Sequence, residues 1–328
     1  MLETTFLILG AIISSFLQVF IHEIGHLIFG IATGYKFLSF RIFNLVFYKH
    51  NQKIYIGKHC LLGTGGQCIL TPGFQESENI PYFFYNAGGF IANFFTAVIA
   101  GRIVFMFPEE SIFRTVITFF FIIGLIFTIV NGFPFKGRLI GNDGYNILKM
   151  IHNSQAKRAF WRQYKFNELL SNGTKLNDCP REWFSNLNED YSNPLICGWA
   201  IYVLFYHLEK QDYEEALKLC NKIIDTKGVM GLYKNEAICE KQFSEIMISL
   251  NSGEKEVKYI RTKNIFKERI VTIAGFHNIY AYRVLVLGHY EEAVGILNAF
   301  EKKALTYSNK GLVDLERNIL YSLKTMIT

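Results

Sequence analysis

Between Phe6 and Ile31 the chain is an almost unbroken apolar run, and inside it stands His22-Glu23-Ile24-Gly25-His26. At about 1.5 Å per residue such a run outreaches a hydrocarbon core about 30 Å thick, so it predicts a membrane-spanning helix. Ionisable groups inside a span are costly and are usually kept for function. On a helix, His-Glu-x-x-His places both imidazoles on one face, one turn apart, where they can share a Zn2+ ion. The glutamate is left beside the metal as a general base. The other reading of the same residues is two histidines and a glutamate packed against neighbouring spans without a metal. Ser15, Gln18, His22 and His26 recur at helical spacing and predict a polar stripe facing a cavity or another span. Counted from Phe6, His22 lies roughly 24 Å into the core, toward the far leaflet.

Charge divides the chain. Residues 1–150 carry 10 Lys/Arg and 7 Asp/Glu, whereas residues 151–328 carry 24 and 21. With 16% aromatic residues and a mean hydropathy of +0.18, the pattern predicts a membrane domain over 1–150 followed by a water-soluble domain over 151–328. The net charge of +6 is drawn from both halves and does not point to nucleic acid as a partner.

Three spans are legible, at about 5–33, 83–107 and 112–131. The first has no basic start and too long an apolar run for a cleaved signal peptide. Lys36, Arg41, Lys49, Lys53 and Lys58 follow it with no acidic residue among them, and Lys36 to Lys58 therefore predicts an inner loop. The expected topology is an outer amino terminus, a multi-pass arrangement in the lipid bilayer and a cytosolic carboxyl half. A cytosolic setting predicts that the cysteines stay reduced.

The inner loop itself predicts structure. Phe37–Phe47 reads as a strand, 50–52 as a turn and 54–57 as a returning strand. Gly63-Thr64-Gly65-Gly66 then precedes a short extended piece at 68–71 that Pro72 stops. Its unpaired edge would suit an added substrate strand, and an amphiphilic hairpin lying on the membrane explains the loop equally well. In the second span, Gly89, Asn93, Ala97 and Gly101 recur every four residues, a small-residue stripe for close helix packing. The third ends in Asn131-Gly132-Phe133-Pro134, a helix break at membrane depth, and Asp143-Gly144 follows. Asp-Gly alone is a turn signal. Beside a histidine pair it also offers the carboxylate of a zinc site made of two histidines and one aspartate.

His22/Glu23/His26, Ala87-Gly88-Gly89 with Asn93, and Asn131…Pro134…Asp143-Gly144 together resemble the site-2 protease family of intramembrane zinc metalloproteases. The likeness covers essentially the membrane half. It departs from the family at Gly88-Gly89, where Gly-Pro is usual, and in a longer Pro134–Asp143 interval containing Lys136, Gly137 and Arg138. The resemblance implies an all-α polytopic membrane protein: a three-span core with a small β-hairpin loop, in a bacterial cell membrane. One Zn2+ per chain would be held by His22, His26 and Asp143, with Glu23 as the base. Asn131, Asn93, Gly65 and Gly66 would bind substrate or stabilise the oxyanion. The implied substrate is a membrane-embedded peptide or protein: a pheromone, bacteriocin or signal-peptide remnant, or else an anti-sigma factor or similar regulator. A non-catalytic membrane receptor or scaffold is the reading from another class.

In the carboxyl half, Asp212-Tyr213-Glu214-Glu215-Ala216-Leu217 and His289-Tyr290-Glu291-Glu292-Ala293-Val294 stand 77 residues apart, each after an apolar helix. This spacing resembles divergent tetratricopeptide-like helical repeats, which bind peptide or protein partners on a concave face. An irregular helical bundle accounts for it nearly as well.

Overall fold

The computed structural model describes residues 2–50, 52–58, 65–77, 79–137, 140–174, 178–185, 190–253, 275–305, 307 and 310–327. The chain forms two compact units, one of residues 1–44 and 62–157, the other of residues 45–61 and 158–328.

The first unit is built on α1 (Leu2–Ala32), α2 (Tyr82–Val104) and α3 (Ile112–Gly132). All three are long and apolar enough to cross a membrane. Their large side chains point outward: Phe6, Ile12, Phe95, Ile99, Ile126 and Ile129 are exposed, an arrangement that water penalises and lipid does not. Helix-helix contact runs instead through small residues. A Cβ on Gly25 would lie 2.2 Å from the Gly88 carbonyl oxygen, so α1 and α2 meet backbone to backbone there. The expected stripe on α2 divides its work. Gly89 and Asn93 face α1, and a Cβ on Gly101 would meet the Phe121 ring of α3 at 3.0 Å. The buried polar stripe of α1 runs through Ser14, Gln18, His22 and His26, whereas Ser15 is only partly buried and donates to its own helix at Ala11.

The loop region is richer in strands than a single hairpin. In the first unit β1 (Tyr35–Ile42) pairs antiparallel with β4 (Gly66–Pro72). In the second, β2 (Leu45–His50) pairs antiparallel with β3 (Lys53–Lys58). The stretch expected as one strand over 37–47 is broken at Phe43, whose φ of 52° puts a bulky residue in the left-handed region. The edge offered by 68–71 is also partly closed. Tyr85 donates its hydroxyl hydrogen to the Cys68 carbonyl (2.8 Å) and accepts from the Leu70 N–H (3.3 Å). The Gly63-Thr64 part of the glycine run lies outside the described residues.

After α3 come α4 (Asp143–Met150) and α5 (Ser154–Ser171). The second unit is otherwise helical: α6 (Pro194–Glu209), α7 (Tyr213–Asp225), α8 (Gly231–Ser252), α9 (Phe276–Tyr280, continued by a π-helical turn over Ala281–Val286), α10 (Ala293–Ala304) and α11 (Lys310–Lys324). Trp161, Trp183 and Trp199 are buried in it, and no disulfide joins Cys68, Cys179, Cys197, Cys220 or Cys239 among the described residues.

Candidate metal centre

His22 and His26 lie on the α1 face turned toward α2, and their outer nitrogens meet. His22 Nε2 and His26 Nε2 are 3.1 Å apart, and Asp143 Oδ2 lies 3.0 Å from the first and 3.4 Å from the second. Both imidazoles are buried.

The inner nitrogens decide which tautomer each ring adopts. His26 Nδ1 sits 2.8 Å from the Tyr85 carbonyl oxygen, which can only accept, so Nδ1 carries the proton. His22 Nδ1 sits 2.8 Å from Asn93 Oδ1. The Asn93 amide nitrogen donates to the Gln18 carbonyl (2.9 Å) and to Gln18 Oε1 (2.6 Å), which leaves Oδ1 as the acceptor and His22 Nδ1 as the donor. Gln18 is held in turn by donating from Nε2 to the Phe120 carbonyl at 3.1 Å. Both rings therefore present an unprotonated Nε2 to one point, the orientation that metal-ligating histidines take from their outer partners.

Asp143 reaches that point through a knot at the end of α3. Asn142 caps α4 by accepting from the Tyr145 N–H (2.9 Å) and also accepts from the Phe135 N–H (3.0 Å). Its amide donates to the Val130 (2.5 Å) and Phe133 (2.6 Å) carbonyls. Lys136 pairs with Gly141 in an isolated antiparallel bridge, which draws the two sides of the long Pro134–Asp143 interval together just before Asp143. Arg138 itself lies outside the described residues. Gly144 completes the fit, because a Cβ there would stand 2.3 Å from the Gly132 carbonyl oxygen.

The donor set suits zinc. With Zn–N and Zn–O bonds of about 2.0–2.1 Å, tetrahedral ligand atoms lie about 3.3 Å apart, near all three observed separations. Asp143 Oδ2 is buried with no hydrogen-bond donor, as two unprotonated Nε2 atoms require, and a bound cation would satisfy it. Two neutral imidazoles and one carboxylate also favour a divalent cation, and three protein ligands leave a fourth position open.

The remaining residues near the site take different places. Glu23 is buried next to the ligands, and Gly66 packs against it: a Cβ on Gly66 would lie 2.4 Å from Glu23 Cγ and 2.6 Å from its Oε1. Gly65 abuts Val19 of α1, and Gly89 abuts His22, where a Cβ would lie 2.4 Å from the ring. Asn93 orients His22 and spends both amide hydrogens on Gln18, so a direct substrate or oxyanion role is corrected to a supporting one. Asn131 donates one amide hydrogen to the Phe127 carbonyl of its own helix at 3.0 Å. Tyr85 and Asn142 also shape the site, and neither belongs to a motif read in the sequence. Only Asn142, the residue before an Asp-Gly helix start, left a readable capping signal.

The chain matches no protein-family model, no curated protein and no solved structure.

Proposed function

We propose that the chain is an intramembrane zinc endopeptidase of the site-2-protease kind, cutting an apolar membrane-embedded peptide or small precursor. The observation that carries this reading is the meeting of His22 Nε2, His26 Nε2 and Asp143 Oδ2 beside Glu23, with both histidines and Glu23 on a helix apolar enough to span a bilayer. His22, His26 and Asp143 would hold the ion. Bound there, zinc would supply acidification of a water and polarisation of a peptide carbonyl.

The rest of the chemistry belongs to the chain. Asn93 and Tyr85 keep both Nδ1 atoms protonated, so the ligand nitrogens need no rearrangement. The Glu23 carboxylate accepts a proton from the attacking water and delivers it to the leaving amine nitrogen as the C–N bond breaks. The water oxygen ends in the new carboxylate of the product. A helical substrate shields its carbonyls, so the segment must be locally unwound before attack, which favours weakly helical apolar sequences. An open apolar groove of about 420 Å3, lined by Ala11, Ile12, Ser15, Phe16, Val19 and Phe43, runs along α1 toward Gly65. It supports an apolar substrate.

The basic loop after α1 supports a cytosolic carboxyl half. In that half, Asp212 and His289 open equivalent turns. The residues before them, Gln211 and Gly288, both take positive φ, 59° and 70°. This supports a repeated helical hairpin, α6–α7 and α9–α10, that positions substrate or a protein partner.

The test uses purified full chain in liposomes with a tagged apolar span of about 20 residues broken by Asn and Pro. The wild type should carry one zinc per chain and cut the span until a chelator removes the metal. Glu23→Gln should keep the zinc and cut nothing. A Glu23→Gln protein that cleaves like wild type would end the peptidase reading and favour a scaffold.

A further inference from the structure

Arg41 is a charged side chain only 2% exposed at the end of β1, and the chemistry above makes no use of it. Its Nη1 donates to the Phe43 carbonyl at 2.7 Å and its Nη2 to the Gly66 carbonyl at 3.0 Å. Phe43 in turn donates its N–H to the Gly65 carbonyl at 2.8 Å. Both backbone groups of Phe43 are thereby held, which offsets the cost of its left-handed φ. Gly66 is the residue pressed against the Glu23 side chain. The contacts thus run without a gap from the Arg41 guanidinium through the Gly66 backbone to the Glu23 carboxylate.

We propose that Arg41 is a positioning residue for Glu23, tying the Phe43 and Gly66 carbonyls together so that the first residue of β4 fixes where the Glu23 carboxylate stands. The inference rests on the peptidase reading. The guanidinium suits the task because two nitrogens on a rigid plane serve two carbonyls at once, whereas a lysine has one nitrogen for both. A neutral clamp would hold one carbonyl less firmly, and burying a charge for structure alone is expensive. Arg41 touches none of the three ligand atoms, so its loss should spare the metal. A general base displaced by about 1 Å can cost on the order of 100-fold in rate.

The experiment compares wild type, Arg41→Lys, Arg41→Gln, Gly66→Ala and the Arg41→Lys/Gly66→Ala double variant as full chains in liposomes. Zinc content, kcat and KM are read on the tagged apolar span. The expected result is zinc and KM within about twofold of wild type and kcat lower by roughly 10–100-fold in each Arg41 variant. The double variant should fall no further than the worse single one, because both changes act on the same contact. If Arg41→Gln does not fold, Arg41→Lys, which keeps the buried charge, decides. Wild-type kcat in a folded Arg41 variant, multiplying effects in the double variant, or loss of zinc in step with activity would each overturn the inference. Should the wild type show no Glu23-dependent cleavage, the peptidase reading falls first and takes this inference with it.

Discussion

Gly144 at the start of α4 lies under the last turn of α3, where a side chain on it would stand 2.3 Å from the carbonyl oxygen of Gly132. Its neighbour Asp143 brings Oδ2 to 3.0 Å from His22 Nε2 as the third atom of the proposed ligand set, so this approach sets where that carboxylate can reach. Gly144→Ala should push α4 away from α3 and weaken zinc binding by roughly 10–100-fold, the size seen when ligand supports are lost. Competition with a graded series of chelators measures it. Unchanged affinity would mean that Asp143 is not a ligand or that the loop absorbs the shift.

Asn93 and Gln18 are both fully buried and fix the protonation of His22 from behind. Asn93→Leu removes the acceptor from His22 Nδ1–H and takes away the Asn93 donor to Gln18 Oε1. Zinc affinity should fall roughly 10–100-fold, with the protein still folded. Asn93→Asp keeps the acceptor and should lose less. The same chelator competition ranks the two, and the reverse order would contradict the tautomer argument.

In the second unit His277 stands between two carboxylates, with Nδ1 2.8 Å from Glu316 and Nε2 2.8 Å from Glu240. Burial alone would push the imidazole pKa down, but the Glu316 and Glu240 charges outweigh it and hold it up to about 10. The folded chain therefore binds a proton that the unfolded chain releases near 6.5, so this stabilisation is complete below pH 6.5 and is lost as pH rises toward about 10. His277→Gln should cost about 3–5 kcal/mol at neutral pH by leaving buried carboxylates unpaired. Its deficit should shrink as pH approaches 10. Unfolding followed by tryptophan fluorescence reads this unit, because Trp161, Trp183 and Trp199 all belong to it. A deficit that grows with pH would show the sign to be wrong.

Gly25 and Gly88 carry the closest approach of α1 and α2. Gly25→Leu cannot be accommodated against the Gly88 backbone and should separate the helices, losing zinc and lowering the yield of folded protein. Gly173→Ala makes a contrasting control. Nothing lies within 4 Å of the added Cβ there, but φ is +83°, so a modest backbone penalty with zinc retained is expected. Folded yield and zinc content distinguish the two.

What was legible in the sequence follows a physical rule. Spans 5–33, 83–107 and 112–131 were readable because lipid demands long apolar runs, and the helices end within a few residues of those bounds. His22, Glu23 and His26 were readable because polar groups at helical spacing stand out in such a run. Asp143 was harder to place across the long interval, because the bridge from Lys136 to Gly141 and the Asn142 knot are tertiary bonds to backbone carbonyls. Tyr85 illustrates the limit. It orients His26 through its main-chain oxygen, a group every residue has, so its identity carries no signal for that role. Arg41 looked like one more basic residue of an inner loop, and only the fold reveals that it is buried. Ser14 and Ser15 fit the polar stripe almost equally well by spacing, and only the fold shows that Ser14 is the buried one.

The most direct measurement is mass spectrometry of the peptides released from membranes containing the wild type or Glu23→Gln at equal abundance and equal zinc content. Fragments cut within an apolar segment should be present with the wild type, absent with Glu23→Gln and suppressed by a zinc chelator. Identical peptide profiles from the two proteins, each folded and holding one zinc per chain and presented with the tagged apolar span, would contradict the peptidase reading.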